Sequence, residues 1–239
     1  MDSICTCQDP SVNFTEYGGK FTKTKVSQLP GLICIDCKNC VAVKSSNDKT
    51  YQDLEKLLGL GQDSDLTRQG WVQAEAPDDF LKHKILNFAQ YRINEPPNKD
   101  AFECNYSEPM LDKDQVYLLW HQSKASGFIT IRTNFEVFED PNLRIIDTVY
   151  IRKSARGNGF LSKFLKSELS SHELGFSEPI SNSMLVVLLK LLKKHPEHCE
   201  RIWLVNEESG ERQILCWSAM KLARQRQLDL KAIMNWIVL

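Results

Sequence analysis

A glycine-containing turn between a strand pattern and a helix pattern carries the clearest chemistry in this 239-residue chain. The turn at Ser154–Gly159 follows β-branched and aromatic residues at Ile145–Ile151 and precedes three leucines spaced by four, Leu161, Leu165 and Leu169. The first amides of a helix lack intrahelical partners and lie at the positive end of the helix dipole. Glycine lets a phosphate approach the backbone closely. The segment therefore predicts a binding site for an anion.

The charges of the same segment favour a polyphosphate as that anion. Between Thr148 and Ser167 there are five cations and no carboxylate. These cations are Arg152, Lys153, Arg156, Lys163 and Lys166. A basic collar at a helix N-terminus attracts phosphate groups. The alternative interpretation is an ordinary strand–turn–helix with a solvated basic face, because short glycine motifs often occur without a ligand.

The run Arg156-Gly157-Asn158-Gly159-Phe160-Leu161 resembles the acyl-CoA pyrophosphate loop of the GNAT acetyltransferase superfamily, which reads Arg/Gln-x-x-Gly-x-Gly/Ala. Arg156 and Gly159 match that pattern, whereas Leu161 stands where the family usually has a small residue. The resemblance implies acetyl-CoA or another acyl-CoA as the cofactor, bound by this loop and by the backbone of the preceding strand. The implied cofactor-binding residues are Ile151, Arg152, Arg156, Gly157, Asn158, Gly159, Phe160 and Leu161.

The order of patterns along the chain is also that of the GNAT core. Helix patterns at Thr50–Leu58, with Asp48 or Thr50 as the expected cap, and from Pro77 to just before Pro96 precede three strand patterns. These strand patterns are Gln115–His121, Gly127–Arg132 after a turn at Ser123–Ser126, and Arg144–Ile151. The resemblance thus implies an α/β (α+β) fold, GNAT-like, with helices on both faces of a mixed central sheet. In that fold the sheet is splayed between its fourth and fifth strands.

Beyond the glycine turn the match to the GNAT order is looser. Ser181–Lys194 predicts a largely buried helix, and because no strand is predicted before it, we interpret this helix as an insertion. Arg201–Asn206 predicts the next strand and Gln213–Gln227 the following helix. The last twelve residues suffice for one strand. The C-terminal edge of the sheet is therefore expected to be incomplete or covered by an N-terminal hairpin, unless the chain is a short form.

The GNAT resemblance implies a general base that deprotonates an amine, so that the amine can attack the thioester carbonyl. Asp147 is the candidate base: it is the only carboxylate of its strand pattern and lies nine residues before Arg156, where some GNAT enzymes place a catalytic histidine. Many GNAT enzymes use a late tyrosine as the general acid, but no tyrosine follows Tyr150. Ser218 or Cys216 would have to replace it. The alternatives are a structural ion pair for Asp147 and a core or surface role for Ser218.

Cys34, Cys37 and Cys40 have a spacing that zinc ligands can adopt, C-x2-C-x2-C. A structural zinc site needs four ligands, and the fourth would have to come from elsewhere in the chain. Free cysteines also pack as small hydrophobic residues in strands, and residues 32–43 alternate as a hairpin does. We therefore expect a cysteine-containing hairpin with no metal. His195 and His198 flank a proline turn, which is typical of solvated side chains.

Composition favours an intracellular globular protein. The chain is 42% hydrophobic and 26% charged, and its net charge of −1 argues against a general nucleic-acid binder. Eight cysteines without a secretory pattern at the N-terminus indicate reduced thiols in the cytosol or nucleus. No apolar run has the length of a membrane span. The expected organisation is a polar arm over residues 1–30 and a single GNAT-like domain over 31–239.

More specifically, the layout is similar to the vertebrate family that includes the soluble lamin-associated protein. The similar parts are the SARGNG turn, the run Gly175–Met184 and the strand that contains Trp203. That family looks GNAT-like without a well-defined reaction, and it implies a nuclear setting with a protein partner at the lamina. Two functions therefore remain open. The first, which we prefer, is an acyl-CoA-dependent N-acetyltransferase acting on an amine or a protein lysine; the second is a catalytically weak or inactive GNAT-like interaction module at the nuclear lamina or envelope.

Overall fold

The computed structural model describes residues 14–16, 31–34, 40–44, 50–59, 68–95, 114–132, 143–206, 209 and 211–215. Within them the chain has a mixed α/β architecture, as predicted. The strands are β1 (Phe14–Glu16), β2 (Gly31–Cys34), β3 (Cys40–Lys44), β4 (Tyr51–Asp53), β5 (Gly70–Gln73), β6 (Asp114–His121), β7 (Lys124–Arg132), β8 (Leu143–Ile151), β9 (Glu173–Ser177), β10 (Ile202–Val205) and β11 (Arg212–Ile214). The α-helices are α1 (Leu54–Leu57), α2 (Pro77–Ile85), α3 (Phe160–Ser171) and α4 (Asn182–Lys194).

Hydrogen bonding arranges these strands in two sheets. Strands β1 to β4 form a four-stranded sheet in chain order, and the other seven follow the order β11-β10-β9-β8-β7-β6-β5. Strand β9 is parallel to both β8 and β10, whereas β11 is antiparallel to β10, so the larger sheet is mixed. The chain divides into two compact units. The first unit comprises Met1–Pro96, Leu118–Phe128 and Tyr150–Arg156, and the second comprises Pro97–Tyr117, Ile129–Val149 and Gly157–Leu239.

The predicted cysteine-containing hairpin is present in the first unit. Strands β2 and β3 are antiparallel, with Gly31 opposite Val43 and Leu32 opposite Ala42. Its predicted turn, at residues 36–39, lies outside the described residues. Strand β1 pairs with β2, so part of the segment predicted as an arm belongs to this sheet.

The first predicted helix is shorter than its pattern. Tyr51–Asp53 forms β4, which pairs with β3, and α1 begins only at Leu54. Asp53 caps the helix, since its carboxylate accepts the Lys56 N–H at 2.8 Å. Strand pairing with β3 thus overrides the helical pattern at its first residues, and the capping role predicted for Asp48 or Thr50 is wrong.

The second predicted helix is confirmed from Pro77, but its second half is a π-helix, Leu86–Asn94. The widened last turn ends where the Glu95 N–H bonds the carbonyl five residues earlier at 2.7 Å. The Asn94 side chain then contacts the backbone of Cys40 twice, accepting its N–H at 2.6 Å and donating to its carbonyl at 3.1 Å. These bonds tie the end of the π-helix to β3 and thereby fix the position of Glu95.

Strands β6 and β7 are joined by a tighter turn than the sequence predicted. The turn is Gln122–Ser123, with φ of 51° and 59°, so β7 begins at Lys124 rather than at Gly127. Two positive φ values in a two-residue loop are typical of type I′ hairpins. Gly127 lies inside the strand, and a side chain does not fit there, because a Cβ would be 2.5 Å from the carbonyl oxygen of Tyr150. This glycine therefore reflects a close backbone approach, not a strand boundary.

The sequence did not predict the strand that follows α3 in the second unit. This strand, β9, has Gly175 at its centre, where a Cβ would lie 2.8 Å from Cγ2 of Val205. Glycine weakens a strand pattern, which explains why no strand was predicted here. The predicted helix at 181–194 is present as α4, and Ser181 caps it by accepting the Met184 N–H at 3.1 Å. Because β9 precedes it, α4 links two parallel strands, β9 and β10.

The C-terminal part of the second unit matches the prediction only in part. Strand β10 lies within the predicted range 201–206. Residues Gln213 and Ile214 belong to β11, so the start of the helix predicted at Gln213 is wrong. The remainder of that helix, from residue 216 onward, lies outside the described residues. Among the helices that the structure describes, none combines the length and the apolar character needed to cross a membrane.

A buried histidine on α2 gives the first unit a predictable pH dependence. The ring of His83 lies edge-on against Phe128, with the two centroids 4.7 Å apart. Burial, and then the charge of Lys84, lower the pKa of His83 to about 4. The unfolded chain binds the same proton near pH 6.5, so the neutral ring stabilises the fold above that pH, and this contribution is lost as the pH falls toward 4.

We expect the free energy of unfolding to fall by about 2 kcal/mol between pH 7 and pH 5 through His83 alone. In His83→Gln this part of the fall should be absent, because glutamine does not titrate. Denaturant unfolding of both proteins at the two pH values measures the difference, with His172→Gln, a half-buried histidine of the second unit, as the control. An unchanged pH dependence in His83→Gln would contradict this assignment.

Candidate functional site

The turn between β8 and α3 has the strand–turn–helix form that its sequence predicts. One 3-10 turn, Lys153–Ala155, follows β8, and two glycines then lead into the helix. Gly157 and Gly159 have φ of +81° and +72°, values that residues other than glycine rarely adopt. A Cβ placed on either glycine would meet no atom within 4 Å, so the space beside both is open.

Helix α3 begins with Gly159 at its N-cap position, which provides no capping side chain. Its first intrahelical bond is the Lys163 N–H to the Gly159 carbonyl at 3.0 Å. The predicted leucine spacing is confirmed in part: Leu165 and Leu169 are buried, and Leu161 is half-buried. Lys163 and Lys166 are exposed on the opposite side. The buried face thus anchors the helix, while Gly159 adds no side-chain cap at the positive end of the helix dipole.

Glu95, which sequence analysis did not identify, is bound to the turn within the first unit. Its carboxylate accepts the Lys153 N–H at 2.9 and 3.1 Å and contacts Nη2 of Arg156 at 3.4 Å. Arg156 also donates from Nε to the Ile151 carbonyl at 2.8 Å, while its side chain remains about half exposed. A carboxylate therefore already contacts the Arg156 guanidinium that the sequence assigns to an external anion, together with the nearby Lys153 N–H.

Arg152, a predicted cofactor ligand, is engaged elsewhere in the first unit. Its guanidinium forms two hydrogen bonds to Glu55, the shorter being 2.5 Å. Lys124 contacts the same carboxylate at 2.9 Å. Burial opposes ionisation of Glu55, but the hydrogen bonds from Arg152 and Lys124 outweigh it, and the pKa of Glu55 is lowered. The side chain of Arg152 thus has a structural ion pair, whereas the side chain of the neighbouring Lys153 is exposed.

Tyr150 lies just before the turn and is almost fully buried. Its ring stacks on Tyr91, with centroids 4.9 Å apart. The hydroxyl has no partner that meets hydrogen-bond geometry among the described residues, yet Glu95 lies near enough to influence it. Burial and then the Glu95 carboxylate raise the pKa of Tyr150 well above its usual range. The hydroxyl therefore stays protonated at neutral pH.

The ladder between β8 and β9 ends halfway along β8, within the second unit. It pairs Leu143 with Glu173 at one end and Ile146 with Phe176 at the other. Strand β9 continues its pairing with β10 one residue further, to Ser177 and Val205. The ladder thus ends at Ile146, the residue before Asp147 and one residue before the end of β9.

Asp147, the candidate base, lies in a polar network of the second unit. Its carboxylate contacts Nη2 of Arg132 at 3.1 Å and accepts hydrogen bonds from the hydroxyls of Thr148 at 2.9 Å and Thr130 at 3.4 Å. The side chain is only 15% exposed. Arg132 also lies 4.0 Å from a carboxylate oxygen of Asp114. Asp147 therefore has structural partners in addition to its place directly after the end of the β8–β9 ladder.

The remaining predicted site residues are divided between the two units. Ile151, Arg152 and Arg156 belong to the first unit, and residues 157–161 belong to the second. Arg156 and Gly157 are consecutive, so the boundary falls within the glycine turn itself. Ser218, the candidate acid, lies outside the described residues.

The cysteines differ from one another in state. The thiol of Cys40 is buried and lies 3.5 Å from the Ala42 carbonyl, and burial raises its pKa to about 11. It is therefore a protonated thiol at neutral pH. The side chains of Cys34 and Cys37 lie outside the described residues. Cys199 is disulfide-bonded, so the prediction of reduced thiols throughout is wrong for this residue.

Comparisons with protein-family models, with curated proteins and with solved structures found no match for this chain.

Proposed function

We propose that this chain is an acyl-CoA-dependent N-acetyltransferase with a GNAT-like fold, acting on an amine or a protein lysine. The observation that carries the proposal is the segment Leu143–Ser171, in which a strand leads through two glycines with open space beside them into a helix whose N-cap residue is glycine. Its consecutive residues offer backbone amides, exposed cations and open space for a diphosphate. A helix N-terminus of this kind binds phosphate by its amides and its dipole.

The end of the β8–β9 ladder at Ile146 supports the same proposal, because β8 continues to Ile151 while β9 ends at Ser177. Backbone groups of a strand that extends past its neighbour can hydrogen-bond an extended ligand. The pantetheine arm of CoA is such a ligand, because it carries amide groups along a flexible chain. We place this arm along the part of β8 that follows Ile146, on the edge of the strand that pairs with β9 before that residue.

The reaction would be transfer of an acetyl group from sulfur to nitrogen. The neutral amine attacks the thioester carbonyl, the C–S bond breaks, the amine gives up a proton, and the CoA thiolate takes one. Asp147 is the proposed proton acceptor, since it lies directly after the last residue of β8 that pairs with β9. Ser218 remains the proposed donor to the thiolate.

Binding and turnover of acetyl-CoA test this function directly. Calorimetry of the full chain with CoA should show saturable binding, and a thiol-detecting assay with a panel of amines and lysine peptides should show release that depends on the acceptor. No heat of binding at millimolar CoA would refute the cofactor assignment. Binding without acceptor-dependent thiol release would refute the enzyme and favour the second function.

The second function is a catalytically weak or inactive GNAT-like interaction module at the nuclear lamina or envelope. The contacts of Asp147 favour it, because a carboxylate held by Arg132 and two threonines has the surroundings of a structural ion pair. The nuclear partner rests on the family resemblance alone. Co-sedimentation of the purified chain with assembled lamin filaments tests it, and the absence of co-sedimentation would refute it.

Glu95 should compete with the diphosphate for the glycine turn. In Glu95→Gln the amide oxygen can still accept the Lys153 N–H, while the negative charge beside Arg156 is removed. Removing a repulsion of about 1 kcal/mol should tighten CoA binding about fivefold. Calorimetry measures the change, and Glu75→Gln, which removes an exposed carboxylate of the same unit, controls for net charge. Weaker binding in Glu95→Gln would contradict competition and show that the carboxylate shapes the turn for its ligand.

A further inference from the structure

Two histidines and a glutamate converge where α4 ends in the second unit. His195 terminates α4, and the 3-10 helix Pro196–Arg201 follows it directly. The His198 N–H bonds the His195 carbonyl at 3.1 Å, which closes a tight turn and brings the two imidazoles to the same side. Their ring centroids lie 5.9 Å apart, and Glu197 stands between them in sequence.

The three side chains direct potential metal ligands toward one point. Oε1 of Glu197 lies 3.1 Å from Nδ1 of His195 and 4.0 Å from Nε2 of His198. One ligand atom from each residue lies within 4.8 Å of the other two. Ligands about 2.1 Å from a shared ion are roughly 3 to 3.5 Å apart. Small side-chain rotations would therefore bring all three atoms to an ion.

The nitrogen of His198 that faces Glu197 has no direct hydrogen bond to it. Glu197 is within hydrogen-bond distance of His195 but not of His198, whose Nε2 lies 4.0 Å from the carboxylate. The side chain of His198 is only 13% exposed, which limits the water that can reach the ring. An ion bound between the two imidazoles and the carboxylate would bridge the 4.0 Å gap.

We propose that His195, Glu197 and His198 bind one first-row divalent transition metal. Two imidazole nitrogens and one carboxylate oxygen suit zinc, nickel and copper, whereas calcium and magnesium prefer oxygen ligands alone. Cys199 follows the cluster but is disulfide-bonded, so it adds no thiolate. Three protein ligands leave at least one coordination position for water. This site is separate from the proposed acetyl transfer and does not depend on it.

The test uses the full chain, freed of metal by dialysis against a chelator, and titrated separately with zinc, nickel, copper and magnesium chlorides. Calorimetry should give one equivalent of each transition metal, with copper tightest, and no binding of magnesium. Electron paramagnetic resonance of the one-to-one copper complex should show two nitrogen ligands. That spectrum is recorded on the wild type, so the test remains valid even if a variant folds poorly.

Variants then assign the ligands. His195→Ala/His198→Ala should lose at least tenfold in zinc affinity, and Glu197→Gln should lose less because the carboxamide is a weaker ligand. His172→Ala, which removes a half-exposed histidine of the same unit, should bind as the wild type does. Absence of binding by the wild type would overturn the proposal. So would unchanged affinity in the double variant, or a copper spectrum without nitrogen ligands.

Discussion

Calorimetric titration with CoA should detect saturable binding by the full chain, and Gly159→Glu should abolish it. Gly159 stands at the N-cap of α3, and the space around the position of its missing Cβ is open. A glutamate there would fill that space and place a negative charge at the positive end of the helix. It would also offer the first amides a carboxylate from within the chain. Repulsion and competition act together, so we expect loss of measurable binding rather than a moderate reduction.

Two further variants separate this effect from backbone strain. Gly159→Ala introduces the same strain at φ +72° without a charge, and it should retain part of the affinity. Gly70→Glu is the matched control, since Gly70 has φ +78° and equally open surroundings on β5. It should bind CoA as the wild type does. If Gly70→Glu also lost binding, the effect would be one of strain or net charge, and the assignment of the diphosphate to α3 would fail.

The elements around this turn were predictable because their signals are local. The leucines of α3 recur at helical spacing, the strand before them is rich in β-branched residues, and the glycines between them mark the change of direction. The structure agrees, with β8 ending at Ile151 and α3 beginning at Phe160. At Tyr51–Asp53 the local pattern favoured a helix. These residues form a strand instead, because they pair with β3.

The residues that condition the candidate site were not predictable, because their partners are distant in sequence. Glu95 contacts Lys153, fifty-eight positions later, and the Asn94 bonds to β3 help to hold it there. The prolines after Glu95 mark the end of a helix, but they carry no information about a contact with the turn. Likewise, Asp147 reads as a lone carboxylate on a strand. Its partner Arg132 ends another strand, and that pairing follows from the sheet rather than from any local pattern.

Strand β9 was not predicted for a different physical reason. Five residues with a central glycine give a weak strand signal. The strand is stabilised by its neighbours, since Gly175 fits closely against Val205 and Trp203 donates to Glu173 at 2.7 Å. With β9 in place, α4 is a connection between parallel strands. The interpretation of α4 as an insertion depended on the absence of that strand.

Asp147→Asn should reduce acetyl transfer by a factor of about 10² to 10⁴ while CoA affinity stays within about twofold of the wild type. Asparagine keeps the shape of the side chain and can still accept hydrogen bonds from Thr148 and Thr130. It cannot accept a proton from the amine. A loss confined to turnover is therefore the expected result for a base, and it is measured by thiol release at saturating acetyl-CoA.

The ion pair with Arg132 provides the competing explanation. Asp147→Asn also removes the negative charge that pairs with this mostly buried arginine. Asp114→Asn is the matched control: it removes the other carboxylate near Arg132, at 4.0 Å, and the side chain of Asp114 is itself only 4% exposed. If Asp147 acts only by holding Arg132, the two variants should lose stability and turnover together. If Asp147 is the base, Asp114→Asn should keep most of its turnover even where its free energy of unfolding falls as far. Unchanged turnover in Asp147→Asn would remove this residue from the mechanism, and equal losses in both variants would assign it to the structure of the sheet.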